Sequence, residues 1–258
     1  MEEVEDLEEV KFESFTLKLN EKLNTYTITD CEKDIQSVTI PIEVNGIKVT
    51  KIGDFAFQNC TKLESVIFPM ITEENVDLFF LYSLEIGCHA FDNCISLKSI
   101  EIPDYICLID RSAFRNCTAL VSAIVPKCYI APFAFYHCES LKSITPISLI
   151  SEGLFSHCKS LENIPTNSKT TEIEEDAFEH CYSLTDIVIH KNIKSIGPEA
   201  FSNCHNLKSV TFEDPNGWFF TNRYVRKEFE LDLSNPEHNA KMLSSQDFDD
   251  GNSSWYKK

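Results

Sequence analysis

One pattern recurs seven times along this chain: an apolar residue, three others, a small residue (usually Ala), Phe, two others, Cys, two others and Leu. The copies span 52–63, 86–97, 109–120, 130–141, 150–161, 173–184 and 196–207. Repetition at such a short period indicates a stack of similar units, none of which can bury its own apolar face alone. The repeat therefore predicts one continuous solenoid rather than a set of globular domains.

Each copy continues into an alternating segment, such as LKSIEIP at 97–103. Alternation predicts a short strand with Ile100 and Ile102 inward and with Ser99 and Glu101 outward. The segment that contains Phe and Cys is too short for an independent helix, so we expect a tight helical turn or bend there. The predicted fold is an α/β solenoid with a parallel β-sheet on one face and short helical turns or irregular structure on the other.

The repeat also divides the chain. Residues 1–35 are predicted to be an acidic lead-in followed by a β-hairpin cap, because strand-like alternation flanks a short polar turn. Residues 36–214 form the solenoid, with seven full repeats after a degenerate first turn. Residues 215–258 are predicted to cap the other end, with a short helix that starts near Pro236. An insertion at 70–82 lengthens the first repeat.

Charge and hydropathy exclude several classes of function. Asp and Glu outnumber Lys and Arg by 41 to 23, which gives a net charge of −18 at pH 7. A field of that sign repels nucleic acid phosphates and anionic lipid headgroups. No apolar run approaches the ~18 residues that cross a bilayer. We therefore expect neither a nucleic acid partner nor membrane insertion.

Seven of the eleven cysteines occupy the same position in successive repeats. Side chains in such a column point the same way, so neighbouring sulfur atoms are poorly placed for disulfides. We expect these cysteines to be buried thiols that act as small hydrophobic groups with a weak S–H donor. Cys107 and Cys128 each lie seven residues before a repeat Phe. For that pair, free thiols and a disulfide both remain open.

The string I-G-x-x-A-F-x-x-C-x-x-L-x-x-I-x-I-P, repeated every 20–23 residues, resembles the BspA-like (Treponema-type) leucine-rich repeats over roughly residues 36–214. The resemblance implies a right-handed solenoid with a parallel sheet on one face and no known catalytic activity. It also implies roles in adhesion or protein–protein binding. The family has no agreed binding motif, so the resemblance assigns no binding residue in this chain.

The expected location follows from two features. As the sequence stands, the N-terminus has neither the basic region nor the apolar core of an export signal, and the repeated thiols suit a reducing compartment. We therefore expect a cytoplasmic protein. The alternative is the cell surface or secretion, which the resemblance implies for many members of the family.

Two outward residues stand out on the predicted sheet. The outward column reads Thr39, Ile67, Glu101, Ile124, Thr145, Pro165, Val188 and Thr211. Hydroxyl and β-branched side chains are ordinary on a half-exposed strand. Exposed Ile67 and Ile124, on either side of Glu101, are harder to explain without a partner. We predict a binding strip formed by Ile67, Glu101, Ile124 and Thr145.

The insertion 70–82 contributes three further candidates, Phe79, Phe80 and Tyr82. Large aromatic side chains are typical anchors of protein interfaces. These three either contact a partner or fold back to pack on the edge of the solenoid, and both interpretations stay open. We add them to the predicted binding residues.

Three histidines precede consecutive repeat cysteines, where the other repeats have Asn. They are His137, His157 and His180. Imidazole and thiolate together are a donor set for Zn²⁺. Stacked turns present such ligands in parallel, however, so hydrogen bonding to loop backbone is the favoured interpretation, with a response to pH as a further consequence.

Enzyme motifs are absent from the sequence: it contains no G-x-S-x-G, no glycine-rich phosphate loop and no H-E-x-x-H. We expect no catalysis and no cofactor. The first hypothesis is a monomeric, non-catalytic module that binds a protein or glycan surface. The alternatives are a self-assembling structural scaffold that associates through an end cap, and a metal- or pH-responsive sensor that uses the His and Cys columns.

Overall fold

The computed structural model describes residues 9–69, 83–222, 228–244 and 253–258. Short strands dominate these residues, and one helix occurs among them. The strands are β1 (Glu9–Phe12), β2 (Phe15–Asn20), β3 (Thr25–Cys31), β4 (Ser37–Thr39), β5 (Glu43–Val44), β6 (Ile47–Ile52), β7 (Ser65–Ile67), β8 (Leu84–Ile86), β9 (Ser99–Glu101), β10 (Ile106–Ile109), β11 (Ser122–Ile124), β12 (Tyr129–Ile130), β13 (Ser143–Ile144), β14 (Glu172–Ile173), β15 (Asp186–Ile189), β16 (Ser195–Ile196), β17 (Ser209–Phe212), β18 (Trp218–Asn222), β19 (Glu228–Glu230) and β20 (Ser253–Lys257). The helix is α1 (Pro236–Ser244).

Most turns of the solenoid contribute a strand to each of two parallel ladders. The first ladder begins with β3 of the N-terminal cap and continues with strands that precede a repeat Phe: β6, β8, β10, β12, β14 and β16. It is interrupted between β12 and β14, because the fifth repeat forms no strand there and only an isolated bridge joins Ile150 to Ile173. The second ladder begins with β4 of the degenerate first turn and continues with strands that follow a repeat Leu: β7, β9, β11, β13, β15 and β17. The predicted solenoid with parallel strands is confirmed. The first ladder lies where the sequence suggested only turns or irregular structure.

The second ladder is interrupted twice within the described residues. No ladder pairing joins β7 to β9 or β13 to β15, and only an isolated bridge between Ile147 and Thr166 fills the second gap. The segment 161–165 forms no strand, so the alternation that the sequence suggested is lost there. Pro165 is consequently buried, and the prediction that it faces outward is wrong.

A column of phenylalanine rings runs through the core. All seven rings are buried, adjacent centroids are 4.8–6.0 Å apart, and adjacent planes lie within 16° of parallel. The rings belong to Phe57, Phe91, Phe114, Phe135, Phe155, Phe178 and Phe201. Each ring fills the space between its two neighbours, which is why the same residue type is needed in every turn.

The repeat cysteines form a second buried column, as predicted. Six of the seven thiols donate a hydrogen bond to the carbonyl oxygen of the phenylalanine one turn earlier, with Sγ–O distances of 3.1–3.3 Å. The seventh, Cys60, instead contacts the thiol of Cys31. Burial raises the pKa of the Cys117 thiol well above its ordinary value, so it remains a neutral donor.

The segments that join the two ladders form the turn edge of the solenoid: 53–59, 87–93, 110–116, 131–137, 151–157, 174–180 and 197–203. Two residues in each segment have positive φ. They are Phe55, Asn59, His89, Asn93, Ser112, Asn116, Phe133, His137, Gly153, His157, Asp176, His180, Glu199 and Asn203. Their backbone N–H groups donate to carbonyls of the next turn at 2.7–3.1 Å wherever a further turn follows.

The left-handed conformation explains the Asn/His column better than side-chain bonding to loop backbone. Asn and His are among the residues that adopt this conformation most readily. Their side chains contact side chains of neighbouring turns instead, as with Asn93 Nδ2 and Asn59 Oδ1 at 2.8 Å. The interpretation of these histidines as hydrogen-bonding groups for the loop backbone is therefore wrong.

Both ends of the core are covered. At the N-terminal end, β2 and β3 pair antiparallel, and Phe15 meets Phe57 edge-on with centroids 6.1 Å apart. At the C-terminal end, Trp218 and Trp255 pack against Phe212, with ring centroids 5.1 and 6.1 Å from that of Phe212. The last strand, β20, pairs antiparallel with β16 and β18. No helix among the described residues has the length and apolar character to cross a membrane.

Candidate partner-binding surfaces

Three of the predicted binding residues lie together in one groove on the second ladder. Ile67 is the last residue of β7, and Ile124 lies directly opposite Glu101 in the pairing of β11 with β9. The side chains of Ile67 and Ile124 are 52% and 50% exposed. All three residues line a groove of about 590 Å³.

The groove lies where the second ladder is interrupted between β7 and β9. Tyr105 lines the groove, and its hydroxyl donates to the carbonyl oxygen of Pro69 at 2.8 Å. Burial raises the pKa of Tyr105 to about 12, so the hydroxyl keeps its proton and this contact persists at neutral pH. Tyr105 and Pro69 were missed in the sequence because their contact joins residues 36 positions apart.

The groove combines apolar walls with two carboxylates. Ile67, Ile124 and Pro103 present hydrocarbon, whereas Glu101 and Asp104 are exposed acids. Neither acid forms an ion pair with a cation among the residues that the structure describes. This chemistry suits an apolar anchor next to a basic side chain.

The remaining candidates are placed differently. Thr145 is half-buried, and its hydroxyl donates to the carbonyl of Val125 at 3.0 Å and accepts from the N–H of Val125 at 2.9 Å. The hydroxyl thus joins two adjacent turns and lies outside the groove. Phe79, Phe80 and Tyr82 lie outside the described residues, although the groove residue Pro69 directly precedes that segment.

The three histidines form a stack on the turn edge. Ring centroids are 4.0 Å apart between His137 and His157 and 4.3 Å apart between His157 and His180. Partial burial, together with the neighbouring charges of His137 and His180, lowers the pKa of His157 to about 4. The stack is therefore unfavourable for protonation of its central ring.

The described residues bring no group of His and Cys side chains together as candidate metal ligands. The one group of three candidate ligands among the described residues is His157, Glu179 and His180, whose ligand atoms lie within 4.8 Å of one another. The repeat thiols instead donate to carbonyls in the core. Near-parallel stacking of the two imidazoles also prevents their lone pairs from converging on one ion. All eleven cysteines, including Cys107 and Cys128, are free thiols in the structure.

Two parallel ladders around a stacked apolar core, with a short turn edge between them, define a leucine-rich repeat solenoid. The sequence matches the family described as BspA type leucine rich repeat region in six copies, over residues 3–84, 21–127, 82–148 and 129–224. These matches cover most of the chain. The protein belongs to the BspA-type leucine-rich repeat family.

Solved structures share this fold. A leucine rich repeat protein of T. pallidum is 23% identical in sequence, with a TM-score of 0.59, over 78% of this chain and 91% of that one. A leucine rich cell surface protein of Faecalibacterium prausnitzii is 24% identical, with a TM-score of 0.51, over 89% of this chain and 62% of that one. Identities this low show a common fold and no more. A search of curated proteins found no match.

Proposed function

We propose that this chain is a non-catalytic, monomeric scaffold that binds a partner protein in the groove lined by Ile67, Glu101 and Ile124. One observation carries the proposal: two half-exposed isoleucines lie on either side of Glu101 in a single groove, and the carboxylate of Glu101 has no ion-pair partner among the described residues. Membership of a repeat family supports it, because solenoids present extended surfaces to partners. The repeated core is fixed by packing, so recognition falls to residues that differ between turns.

The groove suits a protein segment with an aliphatic or aromatic residue beside Lys or Arg. Burying one isoleucine side chain contributes roughly 1.5–3 kcal/mol, so two provide a useful part of a binding energy. Glu101 and Asp104 then favour a basic residue over an acidic one. A glycan offers hydroxyl groups rather than hydrocarbon and fits these walls less well.

The 70–82 segment extends this proposal. It starts next to Pro69 in the groove, so Phe79, Phe80 and Tyr82 are proposed as additional contacts for the same partner. Replacing Phe79 and Phe80 by Ser is expected to weaken partner binding without changing the groove itself. An unchanged affinity would limit the interface to the second ladder.

The test is a quantitative pull-down from bacterial and mammalian extracts, followed by affinity measurement with the purified partner. Ile67→Lys/Ile124→Lys is expected to lose the partner. Val188→Lys is the matched control, because Val188 occupies the equivalent outward position on β15, is 51% exposed and does not line the groove. The control is expected to retain the partner.

Three results would contradict the proposal. A partner held equally by the wild type and the groove variant places the interface elsewhere. Light scattering that shows growing mass with concentration, in the absence of any captured partner, favours the alternative of a self-assembling scaffold. A partner that is released by glycosidase treatment of the extract would shift the proposal from a protein to a glycan.

A further inference from the structure

The third repeat carries two arginines on the turn edge, Arg111 and Arg115. Neither position holds Lys or Arg in any of the other six repeats. The equivalents of Arg111 are Asp54, Cys88, Pro132, Glu152, Glu175 and Pro198, and those of Arg115 are Gln58, Asp92, Tyr136, Ser156, Glu179 and Ser202. The repeat architecture therefore does not require a cation at either position.

Each guanidinium lies over an aromatic ring of the next turn. Arg111 Cζ is 4.7 Å from the centroid of the Phe133 ring, and Arg115 Cζ is 5.7 Å from that of Tyr136. Contact with an aromatic face holds a planar guanidinium in a restricted set of orientations. A ligand that pairs with these arginines therefore loses less side-chain entropy on binding.

The protein gives these guanidinium groups no anionic partner among the described residues. Neither arginine appears in an ion pair, and Arg115 Nε is buried without a hydrogen-bond acceptor. Asp92, at the position equivalent to Arg115 one turn earlier, is occupied elsewhere. Its carboxylate contacts the side chains of Gln58, His89 and Asn116. An arginine kept only for packing would be expected to satisfy its N–H groups within the protein.

Arg111, Arg115, Phe133 and Tyr136 line a pocket of about 300 Å³ together with His89 and Ser112. A pocket of this size is at the lower end for small-molecule sites and accommodates one or two side chains rather than a cofactor. We propose that it binds carboxylate groups on an acidic segment of a partner protein. The pocket lies on the turn edge rather than the second ladder, so this inference goes beyond the groove and does not depend on it.

The chemistry of the pocket favours this ligand. Guanidinium groups donate paired hydrogen bonds to carboxylates, and such charge-assisted bonds are about twice as strong as neutral ones. Arg and Tyr are also enriched among the residues that dominate protein interfaces. The net charge of −18 opposes an acidic partner at long range. At physiological ionic strength the Debye length is roughly 8 Å, so salt screens this long-range repulsion but leaves the short-range pairing of guanidinium and carboxylate intact.

Fluorescence anisotropy of the full chain with a labelled peptide of alternating Glu and Gly tests the site. The wild type is expected to bind this peptide, more weakly as salt rises, and not to bind a Gln–Gly peptide of equal length. Arg111→Gln/Arg115→Gln is expected to weaken binding at least about tenfold, because both charge-assisted contacts are lost. Lys127→Gln/Lys142→Gln removes the same charge at exposed positions and is expected to bind like the wild type.

A second measurement avoids any dependence on how the variants fold. Phenylglyoxal modifies accessible arginines, and the Glu–Gly peptide is expected to protect Arg111 and Arg115 in the wild type, as read by mass spectrometry. Absence of peptide binding, absence of protection, or equal weakening by the lysine variant would overturn the proposal. Tighter binding of a sulfated disaccharide through the same two arginines would overturn the assignment to a protein segment.

Discussion

The core and the turn edge of this solenoid are built from the same seven repeats, yet the core side chains stay the same from turn to turn and the outward side chains of the turn edge change. The core keeps Phe and Cys in every turn. Apart from the buried Phe and its small neighbour, the turn edge keeps its backbone conformation, while its outward side chains change from the aromatic and basic residues near Arg111 to the acids near Asp176. A buried ring must match both neighbouring rings, whereas an outward turn-edge side chain must only suit the local backbone, which has positive φ at two positions in each turn. Chemistry that distinguishes this chain is therefore found on its surface.

The largest expected effect is a change in the core. Phe114→Ala removes a ring that stacks on Phe91 at 5.2 Å and on Phe135 at 5.4 Å, and it leaves a cavity between them. We expect a loss of about 3–5 kcal/mol in the free energy of unfolding, measured with urea. Phe55→Ala is the turn-edge control, because Phe55 is 50% exposed and should cost less than about 1 kcal/mol. Similar losses for both variants would remove the distinction between core and turn edge.

Much of the core was accessible from the sequence, for a definite reason. A strict repeat forces equivalent residues into columns, so the burial of Phe114 and Cys117 and the outward placement of Ile67 and Ile124 follow from alternation alone. The first ladder could not be predicted in this way, because several of its strands have only two residues. The two residues of β12, Tyr129 and Ile130, are both apolar, so no alternation of polar and apolar residues marks that strand in the sequence. The sequence indicates only part of the turn-edge geometry. Asn is a residue type that suggests positive φ, whereas Phe133 and Glu199 also have positive φ although their residue types do not suggest it.

The candidate binding surfaces could be predicted only in part from the sequence, because they depend on contacts between turns. Ile67, Glu101 and Ile124 could be selected as outward residues, but the groove also needs Tyr105 to reach Pro69 across 36 residues. The pocket of Arg111 and Arg115 depends on rings that lie one full turn later in the chain. Spacing within one repeat carries no information about such pairs.

The second largest expected effect is a pH-dependent change in stability that arises from Asp176, in the acidic part of the turn edge. Burial, together with the surrounding carboxylates, raises the pKa of Asp176 to about 7; the carboxylates belong to Glu179, Glu199, Glu175 and Glu152. The folded state then holds this proton more tightly than the unfolded state, so stability falls as pH rises from about 4 through 7. Asp176→Asn removes the charge, and Asn accepts the φ of 56°.

We expect Asp176→Asn to stabilise the protein by about 1–2 kcal/mol near pH 8, after allowance for solvent screening, and to have no effect near pH 4. Urea unfolding at both pH values measures this difference. Glu162→Gln is the matched control, since it removes one negative charge at an exposed position of a neighbouring repeat. Equal stabilisation by the control would attribute the gain to net charge instead of the local cluster.

The histidine stack is expected to change the free energy of unfolding less than Asp176 does, and with the opposite dependence on pH. The pKa of His157, lowered to about 4 by partial burial and by His137 and His180, means that the unfolded state binds the proton more readily. Stability from the neutral ring is fully present above about pH 6.5 and is lost as pH falls towards 4. The other charged groups that act on this stack belong to Glu139, Lys159, Glu179 and Arg115.

His157→Asn tests the histidine effect with the residue that four other turns use at the same position. When the pH falls from 6.5 to 4, the free energy of unfolding is expected to decrease by about 1 kcal/mol less in the variant than in the wild type, after allowance for solvent screening. The difference between variant and wild type at each pH isolates His157 from the opposite trend of Asp176. A difference that stays constant across this range would contradict the assignment.

The smallest effect on stability, and the most informative about function, is expected in the groove. Ile67→Lys/Ile124→Lys changes two half-exposed side chains whose hydrocarbon already meets solvent, so unfolding should shift by less than about 1 kcal/mol. Partner affinity should nevertheless fall strongly, because two apolar contacts are replaced by solvated cations. Equilibrium unfolding and binding, measured on the same preparations beside Val188→Lys, separate the two outcomes. If the groove variant instead lost several kcal/mol of stability, the two isoleucines would contribute to stability as core residues do. The contrast between a constant interior and a variable surface would then fail at the residues on which the proposed function depends.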